Sequence, residues 1–205
     1  MEYKTIEGRV EARFEEKKSE FIGYLSPVEN EEEAVGFIEE IRAMHRKARH
    51  NCYAYILKDG GARHSDDGEP QGTAGVPIYE VLQKEGLSGV CCVVTRYFGG
   101  VLLGAGGLVR AYTKAASDAV SAAKIKEMAL AAKAEISVEY SLYGKLAKIF
   151  EELGAKTAEE KFEDNVKITV YVREQFSEEL KERLVDACSG NVKVEFIEKE
   201  YFDFA

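Results

Sequence analysis

The chain of 205 residues contains no tryptophan, only three prolines and three histidines, and four cysteines. The cysteines show no Cys-x-x-Cys spacing and the histidines no His-x-x-x-His spacing, so the sequence favours neither a disulfide framework nor a zinc site. Cys91 and Cys92 are neighbours on a predicted strand, where successive side chains point to opposite faces. We therefore expect buried, free thiols.

A long apolar run is also missing from the sequence. The first residues alternate apolar and polar side chains as a strand does, so we expect no signal peptide and no membrane span. Hydrophobic residues make up 45% of the chain and charged residues 32%, which is ordinary for a soluble globular protein of one or two domains. These features predict a cytoplasmic protein.

Positive charge is scarce, and the formal net charge is −9. This balance argues against a protein that coats nucleic acid non-specifically, because neutralisation of phosphates supplies most of such affinity. Residues 1–133 carry 18 Lys and Arg against 20 Asp and Glu, a net −2, whereas residues 134–205 carry 10 against 17, a net −7. Most of the acidity therefore belongs to the C-terminal part, which weakens this objection to a phosphate-binding surface in the N-terminal part.

Several basic residues of the first part are candidates for such a surface. They are Arg42, His45, Arg46, Lys47, Arg49, His50, Arg63, Arg96, Arg110 and Lys114. For Arg42, Arg46 and Lys47 we favour a structural role at the negative end of a predicted helix whose first turn is acidic. Arg49 and His50 enter the next predicted strand and are better functional candidates.

A glycine-rich loop follows the strand predicted over residues 90–97, and a predicted helix comes after it. The loop reads Gly99-Gly100-Val101-Leu102-Leu103-Gly104-Ala105-Gly106-Gly107. Glycines allow close approach, and free N–H groups at a helix start favour an anion. Arg96 and Arg110 bracket the loop, but the spacing fits neither a P-loop nor a dinucleotide fingerprint. The predicted phosphate ligands are Arg96, Gly99, Gly100, Gly104, Gly106, Gly107 and Arg110; the alternative is a tight turn with a close helix–sheet contact.

A second unusual loop lies upstream, between a predicted strand and a predicted helix. It reads His64-Ser65-Asp66-Asp67-Gly68-Glu69-Pro70-Gln71-Gly72-Thr73-Ala74-Gly75 and packs three carboxylates into four positions. Its candidate functional residues are Ser65, Asp66, Asp67 and Glu69. The alternatives are a solvated loop in which Asp66 makes an Asx-turn, or a salt bridge from Glu69 or Asp67 to Arg96 or Arg110 that locks the structure.

The two loops together carry a resemblance to a known family. The pattern Ser65-Asp66-Asp67-Gly68-Glu69-Pro70-x-Gly72-Thr73-Ala74-Gly75, then Val93-Val94-x-Arg96-Tyr97-Phe98-Gly99-Gly100-x-x-Leu103-Gly104-x-Gly106-Gly107-Leu108-Val109-x-Ala111-Tyr112, closely resembles the IMPACT family, including its bacterial members of the YigZ type. The match covers about a quarter of the chain, and His50 also fits it. The C-terminal region resembles the extra domain of the bacterial members.

The resemblance implies a class of function and a fold. Eukaryotic members resemble translational regulators that bind an activator protein of the amino-acid-starvation kinase. The N-terminal fold is similar to one found in ribosomal proteins, in a translocation elongation factor and in small-molecule kinases. The resemblance also implies that the two loops lie side by side, so that Asp66, Asp67 and Glu69 become candidate Mg²⁺ ligands beside phosphate-holding N–H groups.

The predicted fold class is α+β with two domains, 1–130 and 131–205. The first is a β3-α-β-α sandwich with strands at 4–15, 19–27, 50–57 and 90–97 and helices at 30–47, 76–85 and 105–123. The second has strands at 134–140, 156–163, 167–172 and 192–198 and helices at 142–153 and 177–188. That βαββαβ order predicts a ferredoxin-like domain.

Three functions follow from these observations. The first is a translation-associated regulatory protein that binds RNA, a ribosome-linked partner or another protein through the glycine-rich loop surface. The second is an Mg²⁺-dependent enzyme acting on a phosphorylated or nucleotide small molecule, with Asp67 or Glu69 as metal ligand or base and His50 as the candidate neutral-pH base. The third is a protein-interaction module only. The sequence carries no DNA-specific signal, and it determines neither the partner nor the oligomeric state.

Overall fold

The computed structural model describes residues 2–205, which form two compact units: Tyr3–Lys126, and Glu127–Ala205 together with Glu2. Both units are mixed α/β with antiparallel sheets, which confirms the predicted fold class. The domain limit predicted after residue 130 falls inside the strand Ile125–Val138.

The N-terminal unit contains six strands and three helices among the described residues. They are β1 (Tyr3–Ile6), β2 (Val10–Glu16), β3 (Ser19–Pro27), α1 (Glu31–Met44), β4 (His50–Ile56), β5 (Ala62–Ser65), α2 (Gly75–Lys84), β6 (Val90–Tyr97) and α3 (Ala105–Ala122). Five of the strands form a sheet in the order β2-β3-β6-β4-β5. Every neighbouring pair in that sheet is antiparallel.

Helices cover both faces of this sheet. One core joins α2 and α3 to the sheet, and a second core lies under α1. Cys92 belongs to the first core and Cys91 to the second, as strand alternation predicts. The central strand β6 is therefore buried on both faces, which explains its continuous apolar run.

Two local features hold α1 and α3 in place. Asn30 precedes α1, and its side-chain oxygen accepts a hydrogen bond from the Glu33 N–H at 2.9 Å, which caps the helix. Helix α3 packs closely on β3, where a Cβ added at Gly23 would lie 2.5 Å from the carbonyl oxygen of Ala115. Glycine at this position therefore sets the distance between helix and sheet.

The structure corrects the predicted start of the chain. The single strand predicted over residues 4–15 is two strands, β1 and β2, because Gly8 adopts φ +69° between them. Strand β5 was not predicted, since its sequence Ala-Arg-His-Ser has no apolar alternation. Five strands rather than three therefore precede the acidic loop in the described chain. The helix predicted over 30–47 ends earlier, at Met44.

The C-terminal unit has the predicted βαββαβ order. Its elements are β7 (Ile125–Val138), α4 (Tyr140–Tyr143), α5 (Leu146–Glu152), β8 (Lys156–Phe162), β9 (Val166–Arg173), α6 (Ser177–Ala187) and β10 (Val192–Asp203). These strands run antiparallel in the order β8-β9-β7-β10, which is the ferredoxin-like order. The first predicted helix is split into α4 and α5 around Gly144, a residue with weak helix propensity.

All four cysteines are buried and unpaired, which confirms the prediction of free thiols. Burial raises the pKa of Cys92 to about 12 and raises the pKa of Cys52 and Cys91 above their usual value. These thiols are therefore protonated at neutral pH and act as small apolar core residues.

No helix within residues 2–205 has both the length and the apolar character that a membrane crossing requires.

Candidate functional site

The strand register brings the two loops singled out in the sequence to one end of the N-terminal sheet. Glu20 pairs with Tyr97, His50 with Arg96, and Tyr53 with Ser65. The β2–β3 turn at residues 17–18, the glycine-rich loop after β6 and the acidic loop after β5 therefore leave the sheet at the same end.

A buried ion pair connects the acidic loop to the strand that precedes the glycine-rich loop. Arg96 Nη1 donates to Glu69 Oε1 at 2.7 Å, and the two side chains are only 6% and 4% exposed. The Tyr112 hydroxyl on α3 donates to the same oxygen at 2.8 Å. Burial, assisted by the neighbouring Cys52 and Glu69, raises the pKa of Tyr112 well above its usual value, so that its hydroxyl stays a donor. We call Glu69, Arg96 and Tyr112 the buried lock.

Arg96 also supports the glycine-rich loop. Its guanidinium carbon lies 5.5 Å from the ring centres of both Phe21 and Phe98, within the range of cation–π attraction. Ser19 accepts from Arg96 Nη2 at 3.5 Å and from the Gly99 N–H at 3.2 Å. Arg96 was predicted as a phosphate ligand, with a salt bridge to Glu69 as the alternative; in the structure its charge is buried against that carboxylate, and its contacts position the glycine-rich loop.

Asp66 organises the start of α2. Its carboxylate accepts hydrogen bonds from the N–H groups of Gly72, Ala74 and Gly75 at 2.8, 3.0 and 2.8 Å. Burial alone would raise the pKa of Asp66, but these three donors outweigh it and hold the pKa below its ordinary value. The ionised carboxylate thus shapes the loop and caps the helix.

Asp67 is held by different groups. Its carboxylate accepts from Arg42 Nη2 at 2.9 Å and from the Asn51 N–H at 2.7 Å. Its N–H donates to the Ser65 hydroxyl at 3.2 Å, and its carbonyl oxygen lies 2.9 Å from His50 Nδ1. Arg42 therefore holds the acidic loop, in addition to the role at the end of α1 that the sequence suggested for it.

The alternative catalytic and metal-binding sets do not come together. Asp66, Asp67 and Glu69 each direct their carboxylates to a different group of protein donors, so they do not form a shared Mg²⁺ ligand set. His50 faces the backbone carbonyl of Asp67 rather than its carboxylate. Within residues 2–205, no three His, Cys, Asp or Glu side chains are arranged to hold a metal ion.

His45 lies outside these loops, at the end of α1. Its Nε2 is 2.7 Å from the Tyr24 hydroxyl, and its Nδ1 is 2.9 Å from the Tyr97 hydroxyl. Partial burial is the main reason that the pKa of His45 is below its usual value. Its neutral ring therefore bridges the strands β3 and β6 beneath α1.

The glycine-rich loop has the geometry that its sequence requires. A Cβ added at Gly99 would lie 1.8 Å from the carbonyl oxygen of Lys18, so only glycine allows the loop to pass this close to the β2–β3 turn. Gly104 adopts φ +71° and precedes α3, and no side chain caps that helix. The first N–H groups of α3, at Ala105, Gly106 and Gly107, therefore lack partners inside the helix.

A basic cleft of about 240 Å³ opens beside the start of α3. Lys17, Arg110 and Lys114 contribute three exposed cations, and Glu16 contributes one acidic group. Lys114 pairs with Asp118 at 2.6 Å, whereas Lys17 and Arg110 form no ion pair within the described chain. The cleft is completed by Phe14, Leu103, Gly107 and Ala111.

Three large apolar side chains in the glycine-rich loop or directly before it are exposed: Phe98 is 45% exposed, Val101 41% and Leu102 82%. The next residue of the loop, Leu103, lines the basic cleft. Large apolar residues exposed at a surface are typical of binding sites. We define the sheet-end surface as the basic cleft, the open start of α3 and these three apolar residues.

Comparisons with known proteins agree with this architecture. Residues 17–120, which contain both loops, match the Impact N-terminal domain family. IMPACT family member YvyE of Bacillus subtilis (strain 168) is 38% identical over 205 residues, covering 99% of this chain and 94% of the relative. The chain belongs to the IMPACT family.

Other similarities of this IMPACT family member cover one or both units. IMPACT family member YigZ of Escherichia coli (strain K12) is 47% identical over 100 residues, covering 47% of this chain and 49% of the relative. Residues 136–191 match a domain of unknown function, DUF1949. A crystal structure of a hypothetical protein is 30% identical with a TM-score of 0.62, covering 97% of this chain and 98% of that one.

Sequence reasoning missed several residues that shape the site of this IMPACT family member. Ser19, Arg42 and Asn51 hold the two loops, and Lys17 contributes to the basic cleft. Each is distant in sequence from the loop it contacts; Arg42 was predicted only as a helix-end cation, and no local pattern marks the other three. Tyr112 belongs to the family pattern, but no role in the site was predicted for it.

Proposed function

We propose that this IMPACT family member is a translation-associated binding protein whose N-terminal unit binds RNA through the sheet-end surface. The observation that carries the proposal is the position of Lys17, Arg110 and Lys114 around the open start of α3; Phe98, directly before the glycine-rich loop, is exposed as well. We infer the association with translation from the IMPACT family, and we infer binding to RNA from the side chains of the sheet-end surface.

The chemistry of this surface suits a single-stranded nucleic acid. Cationic side chains and the free N–H groups of a helix start attract phosphate oxygens, and bases stack on exposed aromatic rings. Most of the net charge of −9 lies in residues 134–205, and the basic cleft itself contains three cations against one carboxylate. Arg110, Gly106 and Gly107 would contact phosphate, whereas Arg96 and Gly99 would position the loop.

A cytoplasmic location belongs to the same proposal. RNA and ribosomes are present there, and the four unpaired cysteines suit a reducing compartment.

The proposal is tested by fluorescence anisotropy with a labelled single-stranded RNA at low salt. The double variant Arg110→Ala/Lys114→Ala should bind roughly tenfold more weakly, since two charge-assisted contacts together contribute at least about 1.4 kcal/mol. Lys84→Ala is the matched control, because Lys84 is exposed at the far end of α2 and does not line the basic cleft. Equal affinities of the double variant and the wild type would contradict the proposal.

A second candidate function is protein docking through the apolar loop, which the 82% exposure of Leu102 favours. Ribosome co-sedimentation separates the two functions. Loss of co-sedimentation in Leu102→Ser, with retention in Arg110→Ala/Lys114→Ala, would support docking to a protein. The reverse result would support binding to RNA phosphates.

A further inference from the structure

The C-terminal unit contains a groove of about 510 Å³ between the start of α6 and the strand β10. Phe196 and Ile197 are its large apolar side chains, and Glu174, Glu178 and Glu198 contribute carboxylates. Phe196 is 36% exposed and Ile197 51%, so both have surface available to a ligand. The groove shares no residue with the sheet-end surface, so a ligand bound there is independent of the proposed function.

The strand β10 offers an exposed edge along this groove. Between Val192 and Asp203 it pairs with β7, and no other strand of the described chain pairs with it. The register shifts between Phe196 and Glu198, which leaves Ile197 without a partner on β7. An edge strand with apolar side chains and free backbone groups is a template for an added strand.

The charge of the groove and of the adjoining face of α6 determines which kind of ligand can bind there. The groove and the adjoining cleft along α6 share Glu178. The other two carboxylates of the groove are already paired, Glu174 with Lys199 at 2.8 Å and Glu198 with Lys133 at 2.9 Å, so the uncompensated negative charge lies on α6. Glu178, Glu182 and Asp186 recur four residues apart along α6, and none of them has an ion pair within residues 2–205. Like charges at this spacing repel each other, and a cationic partner would relieve that repulsion.

We propose that the groove between α6 and β10 binds a basic, extended peptide segment of a partner protein. The backbone of the segment would pair with the free edge of β10, and its apolar side chains would cover Phe196 and Ile197. Its lysine or arginine side chains would face Glu178 and the acidic row along α6. An acidic segment would meet repulsion at the same positions.

The test uses the full chain and a short fluorescent peptide in which lysine alternates with valine. Its counterpart replaces each lysine by glutamate. The charge of the groove is tested by Glu178→Gln, with Glu179→Gln as the matched control. Glu179 lies in the same helical turn but is 3.7 Å from Arg183 and does not line the groove. The apolar contact is tested by Ile197→Ser, and thermal unfolding of each variant checks that it is folded.

The wild type should bind the lysine peptide and not the glutamate peptide. Glu178→Gln should weaken binding by about threefold and Glu179→Gln should leave it unchanged. Ile197→Ser should weaken binding by roughly tenfold, because it removes an apolar contact. Each of three results would overturn the proposal: the wild type does not bind the lysine peptide, it binds both peptides equally, or Ile197→Ser and Glu178→Gln bind the lysine peptide as tightly as the wild type does.

Discussion

Glu69→Ala is the most informative perturbation of the N-terminal unit, because it breaks the buried lock from one side. The substitution leaves the Arg96 guanidinium buried, with Ser19 at 3.5 Å as its remaining side-chain hydrogen-bond partner. It also removes the acceptor of the Tyr112 hydroxyl. Removing one partner of a buried ion pair typically costs about 3–5 kcal/mol, because the other charge stays desolvated.

The size of the destabilisation follows from the burial of the two charges. Replacing both partners in one variant distinguishes the loss of the ion pair from a loss of packing. Arg96→Met should also destabilise by about 3–5 kcal/mol, since it leaves the Glu69 carboxylate without its cation. The double variant Arg96→Met/Glu69→Leu removes both charges but leaves the buried Tyr112 hydroxyl without its acceptor, so it should be more stable than either single variant while remaining less stable than the wild type. Asp118→Asn, which breaks the exposed pair with Lys114, should change stability by less than about 1 kcal/mol.

The assay is urea unfolding followed by circular dichroism, combined with amide hydrogen exchange at Val93 and Val94. These two residues are fully buried in the central strand β6, so their exchange reports unfolding of the N-terminal unit itself. Single variants that lose less than about 1 kcal/mol, or a double variant less stable than both singles, would refute the reasoning about the buried lock.

The remaining predictions concern the glycine-rich loop, pH and the thiols. Gly99→Ala should destabilise the N-terminal unit by more than about 2 kcal/mol in urea unfolding, because the added Cβ would clash with the Lys18 backbone. Gly36→Ala is the control: its Cβ would enter open space on α1, and it should stabilise the same unit by about 0.5–1 kcal/mol. Because the pKa of His45 is lowered in the fold, neutral His45 contributes fully to the free energy of unfolding above about pH 6.5, and this contribution is lost as the pH falls below that value. Thermal unfolding between about pH 5 and about pH 8 should show the loss of stability, and His45→Gln should make the loss smaller. A thiol reagent should react with none of the four cysteines in the native protein and with all of them in denaturant; rapid native labelling would contradict their burial.

The sequence predicted the elements whose patterns are local. Strand β6 has the predicted bounds, since its apolar run begins at Val90 and the glycine-rich loop begins two residues after Tyr97. Helix α3 begins at Ala105 as predicted, because Gly104 ends the loop with a positive φ. The ferredoxin-like order of the C-terminal unit also followed from the succession of strand and helix patterns.

What the sequence could not predict depends on contacts between distant segments. The pairing of Glu69 with Arg96 was one of several alternatives, and only the strand register and burial select it. The pairing of Asp67 with Arg42 was missed, because the end of α1 meets the acidic loop only in the folded domain. Lys17 was missed for the same reason, since its turn reaches the glycine-rich loop through the pairing of β3 with β6.

The most direct test of RNA binding at the sheet-end surface is the salt dependence of that binding. The logarithm of the association constant, plotted against the logarithm of salt concentration, has a slope of about −0.7 for each phosphate neutralised on a single strand. If Lys17, Arg110 and Lys114 each neutralise one phosphate, Lys17→Ala/Arg110→Ala/Lys114→Ala should make the slope less steep by about 2. A slope identical to that of the wild type would contradict the claim that these three cations hold the RNA.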